Sequence, residues 1–185
     1  MDDNRAFALL ETWTCYGQWL PGDPRGYGSN TLSEEGYRAM RNAPGTAYDR
    51  DERATHQRAK ALQKHPTTWL TAELALVAAE GLIGAAMDRE WVILRAAVMS
   101  NHVHVVVAEC PDNGSAVRRV LKGVSQAKLN EHVGKPCSWW TRGGSNRYLH
   151  GERAIAAAVS YVARQERMLV GVENNLIVAV NGPRG

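Results

Sequence analysis

The sequence predicts an α+β domain, with helices packed on an antiparallel sheet. Three observations carry the prediction. Residues 90–99 and 102–109 are two strand-like apolar runs parted only by Ser100-Asn101, as in a hairpin. Residues 72–89 and 113–132 place apolar side chains at helical spacing, and residues 152–168 form an Ala-rich helix-forming run. The order is strand, helix, two strands, helix, short strand, helix, which lacks the strict alternation of a parallel sheet.

In chain order, residues 7–20 are rich in Thr, Trp, Leu and Tyr and read as a first strand. Pro21-Gly22-Asp23-Pro24-Arg25-Gly26 breaks it off. Residues 21–68 are polar and loop-rich, with one short helix around 50–63; an excursion of this length is usually functional or mobile. Thr71 is a suitable N-cap for residues 72–89, with Leu74, Val77, Leu82 and Ala85 among the apolar positions. Asn113-Gly114-Ser115 opens the next helix, whose apolar set is Val117, Val120, Leu121, Val124 and Leu129. Residues 139–149 are Gly-rich, aromatic and basic, a short strand and loop. The tail, 169–185, holds a strand-like stretch at 176–180 with no assignable partner.

The 185 residues suit one domain, with a core over about 7–167, a 44% hydrophobic fraction and 22% charged residues. Cys15, Cys110 and Cys137 are far apart and in no CxxC pair, which suits free thiols in a reducing compartment. Without a secretory signal or an uninterrupted apolar span, the expected location is the cytoplasm. Charge is uneven: residues 1–111 carry 11 Lys/Arg against 14 Asp/Glu, whereas 112–167 carry 10 against 4. A basic half on a chain of net charge +3 suits a polyanionic partner, and equally a solvated helix surface.

The chemistry centres on His102-Val103-His104-Val105-Val106-Val107. A strand's period of two turns both imidazoles to one face, roughly 7 Å apart along the strand. From there they can converge on one metal ion, although two structural histidines would show the same pattern. Polar rings inside an apolar strand need a partner such as a metal or a carboxylate. On the third helix Tyr161 and Gln165 stand four residues apart, hence on one face. A phenol can attack phosphorus and an amide oxygen can ligate a hard cation; an ordinary amphipathic helix also carries such a pair. Arg118, Arg119, Lys122 and Lys128 lie along the second helix away from its apolar face. Trp139, Trp140, Arg142 and Arg147, with Tyr148, interleave aromatics and cations. Such a mixture suits single-stranded or hairpin DNA, with bases stacked on indoles and phosphates on guanidiniums, and core packing of each tryptophan is an equally good reading.

Ala97-Val98-Met99-Ser100-Asn101-His102-Val103-His104, followed by Tyr161-Val162-Ala163-Arg164-Gln165, resembles the HUH superfamily. More narrowly it is similar to the single-tyrosine transposases of bacterial insertion sequences that move as single strands, and to their REP-associated relatives. That family usually has Pro at the position of Ser100. Residues 14–26 and 140–149 resemble further segments of these transposases, so the resemblance spans about 7–167. It implies a ferredoxin-like HUH fold in which His102, His104 and Gln165 hold Mg²⁺ or Mn²⁺ and Tyr161 is the nucleophile. It also implies nicking and rejoining of hairpin-containing DNA through a 5′-phosphotyrosine, without ATP, by a homodimer or a monomer. A mixed N/O donor set with no thiolate suits those hard cations. Two rival readings are a small-molecule metal hydrolase or oxygenase using the histidines with Glu109, and a hairpin-binding protein without catalysis.

Overall fold

The computed structural model describes residues 7–21, 23, 32–33, 36–37 and 53–179. The chain divides into two compact units, Met1–Cys15 with Thr68–Gly185, and Tyr16–Thr67. The smaller unit contains β2 (Leu32–Ser33), β3 (Gly36–Tyr37) and α1 (Arg53–Ala61). Its β2 and β3 pair antiparallel, and the Tyr16 ring lies edge-on to His65 at 5.7 Å.

The larger unit runs β1 (Phe7–Thr14), α2 (Ala72–Met87), β4 (Val92–Val98), β5 (His102–Ala108), α3 (Gly114–Val133), β6 (Ser145–His150), α4 (Glu152–Ala163), β7 (Val170–Glu173) and β8 (Leu176–Val178). These strands form one sheet in the order β6-β1-β5-β4-β7-β8, with every neighbouring pair antiparallel. The run β1-α2-β4-β5-α3-β6 is a ferredoxin-like β-α-β-β-α-β unit. The predicted α+β class is therefore the observed one. The tail stretch, without an assigned partner in the sequence, is β8, paired with β7.

Two apolar clusters sandwich the sheet. On one face Leu9, Trp13, Ile93, Val103, Val105 and Val107 meet Ala78 and Leu82 of α2 and Leu121 and Leu129 of α3. On the other, Ala8, Ala97, Met99, Val106 and Leu149 meet Ala158 and Val162 of α4. Local chemistry starts the helices where the sequence places them. The Thr71 hydroxyl accepts from the Leu74 N–H at 3.2 Å, and Asn113 Oδ1 accepts from the Ala116 N–H at 3.1 Å.

The third helix is shorter than predicted: α4 ends at Ala163, where propensity alone carries it to 168. Long-range pairing ends it. The Leu169 N–H donates to the Val98 carbonyl at 2.9 Å, and Val170 and Val172 pair with Val98 and Ala96 as β7. Arg167 takes a positive φ of 58° in the intervening turn.

Candidate active site

The alternation of β5 does what its period requires. Val103, Val105 and Val107 enter the core under α2 and α3, and His102 and His104 face the α4 side of the sheet. Their rings are 4.8 Å apart between centroids and nearly perpendicular, at 85°. The apolar face of α4 settles on the same side, and Tyr161, three residues after buried Ala158, flanks it. The Tyr161 ring meets the edge of His104, with centroids 5.5 Å apart and planes at 77°. Tyr161 is still 46% exposed, so its hydroxyl remains within reach of a ligand.

Each imidazole is held through Nδ1. His102 Nδ1 donates to Asn101 Oδ1 at 2.7 Å, which leaves Nε2 with its lone pair. His104 Nδ1 lies 2.8 Å from Thr12 Oγ1, a hydroxyl able to donate or accept. Thr12 is there because β1 and β5 pair in a register that sets it opposite His104. Burial lowers the pKa of His102; burial together with the neighbouring His102 brings His104 down to about 4. Both rings are therefore neutral at pH 7, the form that binds a metal.

Thr12 and Asn101 are functional candidates that the motif reading passes over. Thr12 did leave a signal, a polar residue on alternate positions of an apolar strand with Thr14. Asn101 adjoins His102 directly. Glu11 is a third omission: it is buried in the opposite face, where Arg118 Nη1 donates to it at 2.9 Å.

The structure brings His102, His104 and Tyr161 together but places Gln165 differently from the one-face reading. Because α4 stops early, Gln165 stands beyond the C-cap residue Arg164. Its side-chain Nε2 donates to the Tyr161 carbonyl at 3.3 Å, folding the amide back on the helix end. Among the described residues no group of three His, Cys, Asp or Glu converges. Glu109 does not fill the role of a third donor: five residues from His104 along an extended chain is roughly 17 Å.

The aromatic and basic candidates separate into interior and surface. Trp139 and Trp140 are core residues, 6% and 7% exposed, which favours core packing over stacking between their two readings. Trp139 Nε1 donates to Asn130 Oδ1 at 2.8 Å, and Trp140 packs edge-on to Trp13. Large indoles next to the α2–α3 layer gain more by burial than by exposure. Arg118 is committed to Glu11, and Lys122 Nζ donates to loop carbonyls, including that of Gly143 at 2.9 Å. Lys128 is on the surface, 3.7 Å from Glu80. Arg119, Arg142 and Arg147 are exposed.

No family model matches the chain, and no curated protein matches it either. One solved structure, described as a REP-associated tyrosine transposase bound to a REP hairpin, aligns with 86% of this chain at 12% identity and a TM-score of 0.44. The chain spans 66% of that structure's length. A likeness this distant carries no residue role across.

Proposed function

We propose that this protein is a metal-dependent single-tyrosine DNA nicking and joining enzyme of transposase type. One observation carries the reading: Tyr161 lies against His104, which lies against His102, on one side of the sheet. The donor chemistry fits a divalent cation, since both imidazoles are neutral and His102 keeps Nε2 unshared. His102 and His104 would hold Mg²⁺ or Mn²⁺, with the Gln165 carbonyl oxygen as third donor after its amide turns from the helix end. The negative end of the α4 macrodipole lies in the helix's last turn, where Tyr161 sits, and favours a cation nearby. When bound, the ion supplies charge that polarises the scissile phosphate.

The rest is done by this chain's own groups. The Tyr161 oxygen attacks phosphorus and loses its proton to a base or solvent. The P–O3′ bond breaks, and the departing oxygen takes a proton to become a free 3′-hydroxyl. The product is a 5′-phosphotyrosine that keeps the energy of the phosphodiester, so a second 3′-hydroxyl can displace Tyr161 without ATP. Single-stranded or hairpin DNA is the substrate of this reading, and the basic stretch 112–167 is its electrostatic support.

Cleavage of an end-labelled hairpin oligonucleotide in Mn²⁺ tests the reading. Wild type should cut, whereas His102→Ala and His104→Ala should each lose 100-fold or more, roughly what removing a group that acts in the transition state costs. Equal cleavage by wild type and both variants contradicts it.

A further inference from the structure

A cleft of about 360 Å³ opens between α3 and the loop that follows Trp140. Arg118, Arg119, Lys122 and Arg142 line it together with Gln126 and Trp140, and no carboxylate does. The two inner cations are already fixed. Arg118 Nη1 donates to Glu11 at 2.9 Å and to Asn146 Oδ1 at 3.3 Å. Lys122 Nζ donates to the carbonyls of Thr141, Gly143 and Arg142, which holds the loop as a wall. Gly144 lets that wall approach: a Cβ there would stand 2.7 Å from the Thr12 carbonyl and 2.6 Å from Arg118 Cδ. Burial, and to a smaller extent the Arg118 charge, pulls Lys122 down to about 8. The outer cations, Arg119 on the helix and Arg142 on the loop, are exposed on opposite walls. Their planar guanidinium forks match phosphate oxygens.

We infer that this cleft is a phosphate-binding site separate from the histidine–tyrosine centre, with Arg119 and Arg142 as its two jaws and Lys122 holding the loop wall. An anion there would meet the two exposed guanidiniums with no carboxylate in the lining. The volume is at the lower end for ligand clefts and suits a phosphate with its sugar, not a duplex. Its location also gives a direction. The Thr141 N–H donates to the Thr14 carbonyl at 3.0 Å, and Thr14 is the register partner of His102. The loop wall is thus at the histidine end of the sheet, two strand spacings, about 10 Å, from β5. The cleft opens on the α3 face and the histidines lie on the α4 face, so a single strand held in the cleft reaches them only around the β6 edge of the sheet; this last step alone rests on the proposed function.

Two probes test the site on the full chain: a labelled oligothymidylate and inorganic pyrophosphate. Arg119→Ala/Arg142→Ala removes only exposed side chains, and Lys135→Ala, which removes an exposed cation outside the cleft, serves as the control. The double variant should bind at least one probe about tenfold more weakly, while the control binds as wild type does. For the oligonucleotide, the slope of log affinity against log salt should shrink by about 0.7 for each phosphate that the variant no longer neutralises. A loss confined to the oligonucleotide assigns the phosphate to nucleic acid, and one confined to pyrophosphate assigns it to a free anion. Undiminished binding of both probes by the double variant, or binding of neither by wild type, overturns the site. Weakened binding together with no Tyr161-dependent cleavage leaves the cleft standing and sinks the proposed function instead.

Discussion

The His104 imidazole touches Thr12, His102 and Tyr161, and each touch constrains something different. His102 sets the pair, Tyr161 brings the proposed nucleophile, and Thr12 constrains which way the ring faces. Thr12→Val keeps shape and strand propensity but removes the hydroxyl. Mn²⁺ affinity should fall by about 10- to 100-fold, the usual cost of removing such a supporting hydrogen bond, with an unchanged circular dichroism spectrum. Calorimetry that finds wild-type affinity in Thr12→Val refutes the role. Glu11 gives a pH-dependent prediction. Burial raises its pKa from 4.5 to about 7, although the Arg118 charge pulls it down. The folded chain therefore binds this proton more tightly than the unfolded one. The stabilisation is fully present below pH 4.5 and is lost as the pH rises through 7. Between those values wild type should lose on the order of 3 kcal/mol relative to Glu11→Gln. His104, with its lowered pKa, acts in the opposite sense in both proteins, so the difference between their urea midpoints isolates Glu11.

At the scale of elements, α2 and α3 approach closely because Gly81 has no side chain. A Cβ there would stand 2.6 Å from the Ser125 Cα. Gly81→Ala should destabilise by about 1–3 kcal/mol through overpacking, although Ala is the better helix former. A denaturant midpoint at or above wild type contradicts the close packing. The same scale shows what was legible in the sequence. The two faces of β5 followed from a period of two, and the openings of α2 and α3 from Thr71 and Asn113, because both are local rules. The end of α4 was not legible, since the pairing of Val170 with Val98 overrides a helix-forming run. Trp139 and Trp140 read equally as stacking platforms or as core until Asn130 and Trp13 are placed beside them. Thr12 opposite His104 depends on a register across 92 residues, beyond any spacing rule.

For the whole molecule, the sheet separates two tasks. One face carries the large core under α2 and α3, and the other carries the histidines beneath α4. Apolar burial on both faces of the sheet supplies the cores, so folding is expected not to require a bound ion. Chelation by EDTA should abolish DNA cleavage yet leave the thermal midpoint where it was; a large drop in the midpoint would mean that the ion is structural. Among the described residues no helix is long and apolar enough to cross a membrane. The central claim is that Tyr161 becomes bonded to DNA beside the histidine pair. Its most direct test is peptide mass spectrometry of the full chain after incubation with hairpin DNA and Mn²⁺. The account predicts a nucleotide adduct on Tyr161 that is absent in Tyr161→Phe. An adduct on another tyrosine such as Tyr148, or cleavage with no adduct at all, contradicts it.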